Sequence, residues 1–283
     1  MTEHTPQETR TAATEGRVAR RFASLRAAGR AGLVGYLTAG DPDLARSREL
    51  LLAACEAGLD VLELGVPFSD PTADGPVIQE AMTRALSAGA SLERALELAA
   101  SVRARVDTPI VLFGYANPLL ARIERDGDAR ALLDAVTEAG VDGLLVVDLP
   151  PEHSAPLREP ARARGLDWIG LVAPTTTDAR LRRVLSVTSG FVYAVSLTGV
   201  TGARLDPSDP RLQEQLARVR GVSELPLAVG FGIRSGADVA ALAPQVDAVV
   251  VGSALVAAAR EGPDALAARV RDLVPRPGPR PRV

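Results

Sequence analysis

Short apolar runs recur eight times along the chain, each closed by a glycine, a proline or a polar turn, and this recurrence restricts the fold more than any other feature. The runs are 32–40 (GLVGYLTAG), 60–66 (DVLELGV), 109–115 (PIVLFGY), 142–149 (DGLLVVDL), 166–173 (LDWIGLVA), 191–197 (FVYAVSL), 226–232 (PLAVGFG) and 247–253 (DAVVVGS). Their hydrophobicity is nearly continuous rather than alternating, as parallel strands covered on both faces require. Segments with helical spacing lie between them. Asp43, Ser91 and Asp209-Pro210 open three such segments, and Gly58 and Gly221 follow two of them. Eight β/α units in one chain predict an α/β fold, a single (β/α)8 TIM barrel. An extra helix is expected at the N-terminus, and another after the second strand, where PVIQEAMTRALSAG precedes the helix beginning at Ser91. A doubly wound sheet is the alternative, but its dinucleotide turn would be glycine-rich, and the first run here ends in TAGDPD.

The barrel is expected to occupy 18–274. Residues 1–17 lack apolar periodicity and 275–283 are rich in Pro and Arg, so both are read as disordered tails. At 283 residues, one core is the simplest organisation, because barrels of this size form single domains. No window reaches the roughly 18 apolar residues of a membrane span, and no signal-type segment opens the chain, so the expectation is a cytoplasmic protein with no membrane partner. A net charge of −3 with both signs interspersed gives no footprint for nucleic acid. Small molecules and proteins remain as partners.

Two absences narrow the chemistry. All 32 basic residues are arginine, so no Schiff base can form within this chain. Histidine occurs only as His4 and His153, too few for a multi-histidine metal site and poorly placed for a triad, so no metal is expected. Cys55 sits in an apolar helical pattern and reads as a small core residue. General acids and bases must therefore be Asp, Glu or Tyr.

The stretch LELGVPFSDPTADGP, 62–76, runs from strand into a loop bearing acids. Glu63 lies among aliphatics, so it must face the barrel mouth or be held by an interior arginine. Asp70 and Asp74 follow in a loop where Asp beside Pro and Gly is usually only a turn former. Glu63 and Asp74 together would give one desolvated and one partly wet carboxyl, an arrangement that keeps one protonated and one ionised. Glycines also gather at three strand ends: TGVTGA (198–203), GFG (230–232) and GS (252–253), the last opening a helix. Such loops bring backbone N–H groups close to a phosphate. Eight of the nine aromatics lie on or just after candidate strands, where they would sit beside a flat ligand or fill the core, the latter favoured for Phe191 and Trp168. These residues point to an acid–base lyase or isomerase acting on a phosphorylated substrate with an apolar ring, with a non-catalytic phosphate-binding subunit as the rival reading.

The eighteen-residue segment LELGVPFSDPTADGPVIQ, with YLTAGDPD before it and SLTGVTGA and GFGI after it, resembles the tryptophan synthase alpha chain family from about Gly32 to Ser253. The resemblance implies retro-aldol cleavage of indole-3-glycerol phosphate to indole and glyceraldehyde 3-phosphate. It implies that Glu63 is the catalytic glutamate, protonating indole C3 and helping to deprotonate the glycerol hydroxyl, and that Asp74 is the aspartate at the indole N–H. It further implies Gly202, Gly232, Gly252 and Ser253 on the phosphate, Tyr36, Phe113, Tyr115 and Phe231 around the indole, and the Tyr193 hydroxyl beside Glu63. One departure is Leu197, where some members carry a basic residue. The implied partner is a beta chain that holds pyridoxal phosphate in an α2β2 assembly, this chain having no cofactor. The loops at 67–76 and 196–210 would then be lids, with Asp70 a hinge or interface residue rather than a catalytic one.

Overall fold

The computed structural model describes residues 16–195, 207–230 and 232–278. Strands β1 (Gly32–Thr38), β2 (Val61–Gly65), β3 (Ile110–Gly114), β4 (Gly143–Val146), β5 (Asp167–Trp168), β6 (Gly170–Val172), β7 (Val192–Val195), β8 (Leu227–Gly230) and β9 (Ala248–Val251) all pair in parallel, in the order β5-β4-β3-β2-β1-β9-β8-β7-β6. The two ends of that order, β5 and β6, are one apolar run broken only at Ile169. β5 pairs with β4 and β6 with β7, so the sheet closes into a barrel through this single segment.

Helices α1 (Arg17–Ala27), α2 (Leu44–Glu56), α3 (Pro76–Ser87), α4 (Leu92–Arg103), α5 (Ala116–Asp126), α6 (Ala129–Glu138), α7 (Pro151–Ala163), α8 (Asp178–Leu185), α9 (Pro210–Arg220), α10 (Gly236–Leu242), α11 (Ser253–Glu261) and α12 (Pro263–Leu273) supply the connections and the outer layer. Both expected extra helices are present, as α1 and α3. Two more were not foreseen, because a β/α unit was read as holding one helix. The β3–β4 connection is split into α5 and α6 at Gly127, whose φ of 74° suits glycine. The last unit carries α11 ahead of α12. The caps read from sequence hold: Asp43 accepts from the Arg46 N–H, Ser91 from Arg94 and Asp209 from Arg211.

The strand period of two sorts the core into layers. Outward residues such as Leu33, Leu62, Leu64 and Leu112 pack against the helices. Inward residues Val34, Val61, Val111, Leu145 and Ile169 fill the barrel together with Val18, Phe22 and Leu25 of α1, which closes the N-terminal end. Aspartates at the strand starts tie that end down: Asp60 accepts the Leu33 N–H and both guanidinium nitrogens of Arg30, and Asp142 accepts the Ile110 N–H and Arg103. Cys55 is buried and its thiol is pushed up to about 11 by that burial, as an inert core residue requires.

Candidate active site

β2 is buried along its whole length, and Leu62 and Leu64 claim its outer face, so Glu63 projects inward between Tyr36 of β1 and Val111 of β3. It is 1% exposed. Its Oε1 has no hydrogen-bond partner, and no arginine pairs with it among the described residues, so the clamp alternative is absent. Burial first, and the nearby charge of Asp74 second, push its carboxyl up to about 8. A group in that range is a protonated acid at neutral pH.

Asp74 stands in the loop that follows. Val66 N–H donates to the Phe113 carbonyl at 2.8 Å as the loop leaves the barrel, and Gly75-Pro76 turns it into α3. The Asp74 side chain accepts a 2.6 Å hydrogen bond from the Tyr115 hydroxyl, which itself accepts the Ala73 N–H, while Gln79 Nε2 donates to the Asp74 carbonyl. Burial raises the Asp74 carboxyl and the Tyr115 hydroxyl opposes that rise. Burial thus raises both acids, and they differ in that Asp74 accepts a hydrogen bond while Glu63 Oε1 has no partner among the described residues.

Both line a single cavity of about 730 Å³ at the C-terminal ends of the strands. Tyr36, Phe113, Tyr193, Leu171 and Val195 form its apolar sleeve, with the Tyr36 and Phe113 rings edge to face at 5.2 Å. Two glycines let the phenols lie flat against the sheet: a Cβ would come within 2.2 Å of the Tyr36 hydroxyl at Gly65, and within 2.4 Å of the Tyr193 hydroxyl at Gly230. Burial pushes both hydroxyls well above their ordinary range, so these tyrosines stay neutral. Gly232 (φ 76°), Gly252 and Ser253 edge the same cavity, the last two at the N-terminus of α11.

The cavity therefore gathers Glu63, Asp74, Tyr36, Phe113, Tyr193, Gly232, Gly252 and Ser253 from six strands and their loops. Tyr115 is placed differently from the expectation of an indole-facing ring. It is 2% exposed, packs on Phe68 and bonds Asp74 from behind, outside the cavity lining. Asp70 is exposed, its side chain bonds only Ser69 among the described residues and its carbonyl accepts the Thr72 N–H, and it does not line the cavity. Trp168 and Phe191 are core. Gly202, Phe231 and Leu197 lie outside the described residues, as does nearly all of the 196–210 loop. Sequence reasoning missed Ile78, Arg234 and Arg269 on the cavity wall. Ile78 lies within the eighteen-residue segment and Arg234 directly follows GFGI, so both could have been found there, whereas nothing in the α12 sequence marks Arg269.

A closed ring of parallel strands whose C-terminal mouth opens into one cavity lined by two buried carboxyls places the chain among the α/β barrel enzymes. A family model described as the tryptophan synthase alpha chain matches residues 22–276. The tryptophan synthase alpha chain of Gluconacetobacter diazotrophicus is 52% identical over 250 residues, 88% of this chain and 89% of that relative. That of Caulobacter sp. is 50% identical over 245 residues, 86% of each. Among solved structures, Mycobacterium tuberculosis tryptophan synthase superposes with a TM-score of 0.84 at 38% identity, over 92% of this chain and 97% of that one. The alpha subunit of Legionella pneumophila gives 0.82 at 35% identity, over 92% and 97%. The chain belongs to the tryptophan synthase alpha chain family, the lyases that cleave indole-3-glycerol phosphate to indole and glyceraldehyde 3-phosphate in tryptophan biosynthesis. Alpha chains carry no cofactor, the pyridoxal phosphate residing in the beta chain.

Proposed function

We propose that Glu63 is both the general acid and the general base of this cleavage and that Asp74 steadies the charge that develops on the indole ring. The observation carrying this reading is the Glu63 Oε1, buried and without a partner among the described residues, in the lining of the cavity that Asp74 shares. A protonated Glu63 delivers its proton to indole C3, which leaves the ring positively charged at nitrogen. The Asp74 carboxylate accepts the indole N–H and stabilises that cation. The C3–carbon bond to the glycerol chain then breaks, its electron pair returns to the ring, and the adjacent hydroxyl gives its proton to the Glu63 carboxylate as the aldehyde forms. The proton inventory closes, and Glu63 ends the turnover as it began.

Tyr36, Phe113 and Tyr193 sheathe the indole in this reading, with Phe231 beside them. The phosphate rests on backbone N–H groups of Gly232, Gly252 and Ser253, aided by the positive end of α11, with Gly202 completing the cradle. The relatives are tryptophan synthases, so the partner proposed here is a beta chain in an α2β2 assembly, working in the cytoplasm. Among the described residues, no helix is long and apolar enough to cross a membrane.

Indole release from indole-3-glycerol phosphate tests the assignment. Glu63→Gln and Asp74→Asn are each expected to lower turnover by roughly 10²- to 10⁴-fold, the usual scale of general acid–base groups. Near-normal rates in either variant would remove that residue from the mechanism.

A further inference from the structure

The cavity that holds the glycine cradle is also lined by Ala254, Ala257, Ala258 and Glu261 of α11 and by Arg234 and Arg269. Arg234 stands two residues after Gly232, on the turn into α10. Its N–H donates to Asp238 Oδ2 at 3.0 Å, and the Ser235–Asp238 capping box fixes that turn. Arg269 arrives from α12, whose last turn abuts the same place: a Cβ on Gly236 would lie 2.7 Å from the Asp272 carbonyl oxygen. Two arginines distant in sequence thus line one cavity.

Charge explains what they could do there. The reacting end of the cavity is acidic, with Glu63 and Asp74. The cradle itself offers N–H dipoles, equivalent to about half an elementary charge at a helix N-terminus. A phosphate ester brings roughly −1.5 to −2 charges at neutral pH. Among the described residues lining the cavity, Arg234 and Arg269 are the only cationic side chains, and Glu261 is the third lining acid after Glu63 and Asp74. Arg269 already faces Asp272 at 3.4 Å, but those side chains are 40% and 55% exposed, a pair held too loosely to resist a phosphate.

Building on the reading of Gly232, Gly252 and Ser253 as the phosphate cradle, we propose that Arg234 and Arg269 form an outer cationic clamp that selects the substrate by the charge of its phosphate. They are binding residues and take no part in the bond cleavage. Glu261 moderates their field.

Titration calorimetry on the full chain, with glycerol 3-phosphate as charged probe and indole as neutral probe, tests this. Arg234→Ala and Arg269→Ala are each expected to weaken glycerol 3-phosphate about twofold to fivefold, the scale of a partly exposed ion pair. The double variant is expected to lose about tenfold, and added salt should shrink the loss. Indole affinity stays unchanged. Arg→Lys at both positions keeps the charge and should keep the affinity within about twofold. In steady state, KM for indole-3-glycerol phosphate rises while kcat holds. A double variant that binds glycerol 3-phosphate as tightly as the unaltered protein at low salt overturns the clamp alone, as does an equal loss of indole affinity, which would mean a collapsed pocket. Failure of the unaltered protein to bind glycerol 3-phosphate overturns the cradle as well.

Discussion

Glu63 carries a proton that its surroundings make costly to lose, and this has consequences for both rate and stability. Its carboxyl sits near 8 in the folded chain against an ordinary value of 4.5, so the folded state binds the proton more tightly than the unfolded one. The stability that follows is complete below the ordinary value and is lost as pH rises through the folded one. Thermal melts of Glu63→Gln beside the parent should therefore show the variant gaining relative stability between those limits, and a constant difference across that range would contradict the buried acid. The same protonation predicts that kcat/KM declines above about pH 8, where Glu63 can no longer donate. Tyr115 acts one step removed, as a positioning residue. Its hydroxyl holds the Asp74 carboxylate and lowers its pKa. Tyr115→Phe should cost about tenfold in kcat, the scale of a lost hydrogen bond to a charged group, and should move the acidic limb of the pH–rate profile upward. A rate loss with an unmoved limb would mean Tyr115 merely packs.

Among the elements, α1 shows how far stability can be separated from chemistry. Phe22 lies 5.6 Å from Phe191 in the floor of the barrel, while Arg17 and Arg21 of the same helix face Asp142 and Asp60. The helix is thus a plug at the N-terminal end, and the cavity opens at the other. Phe22→Ala should cost about 3–5 kcal/mol in urea unfolding, as deletion of a buried aromatic does. Its kcat/KM per folded molecule should stay within about twofold of the parent, in keeping with the division of a barrel into a stabilising and a catalytic face. A large activity loss in the folded variant would show the two faces to be coupled.

At the scale of the whole molecule, the catalytic face is built from parts that come from every sector of the ring. The acids come from the β2 unit, the sleeve from β1, β3, β6 and β7, and the cradle from the units of β8 and β9. Such a site responds to whatever orders the loops above it. Addition of a tryptophan synthase beta chain should raise the rate of indole release, and sedimentation should show an α2β2 species. A chain that ignores the beta chain in both measurements would act as an independent lyase.

The amino-acid sequence by itself determined the ring of strands, the caps and the presence of two acids on the second unit. Continuous apolar runs admit few alternatives to a doubly covered parallel sheet, and a glutamate in one of them must face inward, because only the interior offers room on the strand's other side. The tertiary structure alone decided that no arginine among the described residues neutralises Glu63, that Tyr115 serves Asp74 rather than lining the cavity, and that Arg234 and Arg269 line the same cavity. Each of these depends on distances between residues far apart in the chain. Local pattern fixes which face a side chain takes, but only closure of the barrel fixes what stands opposite.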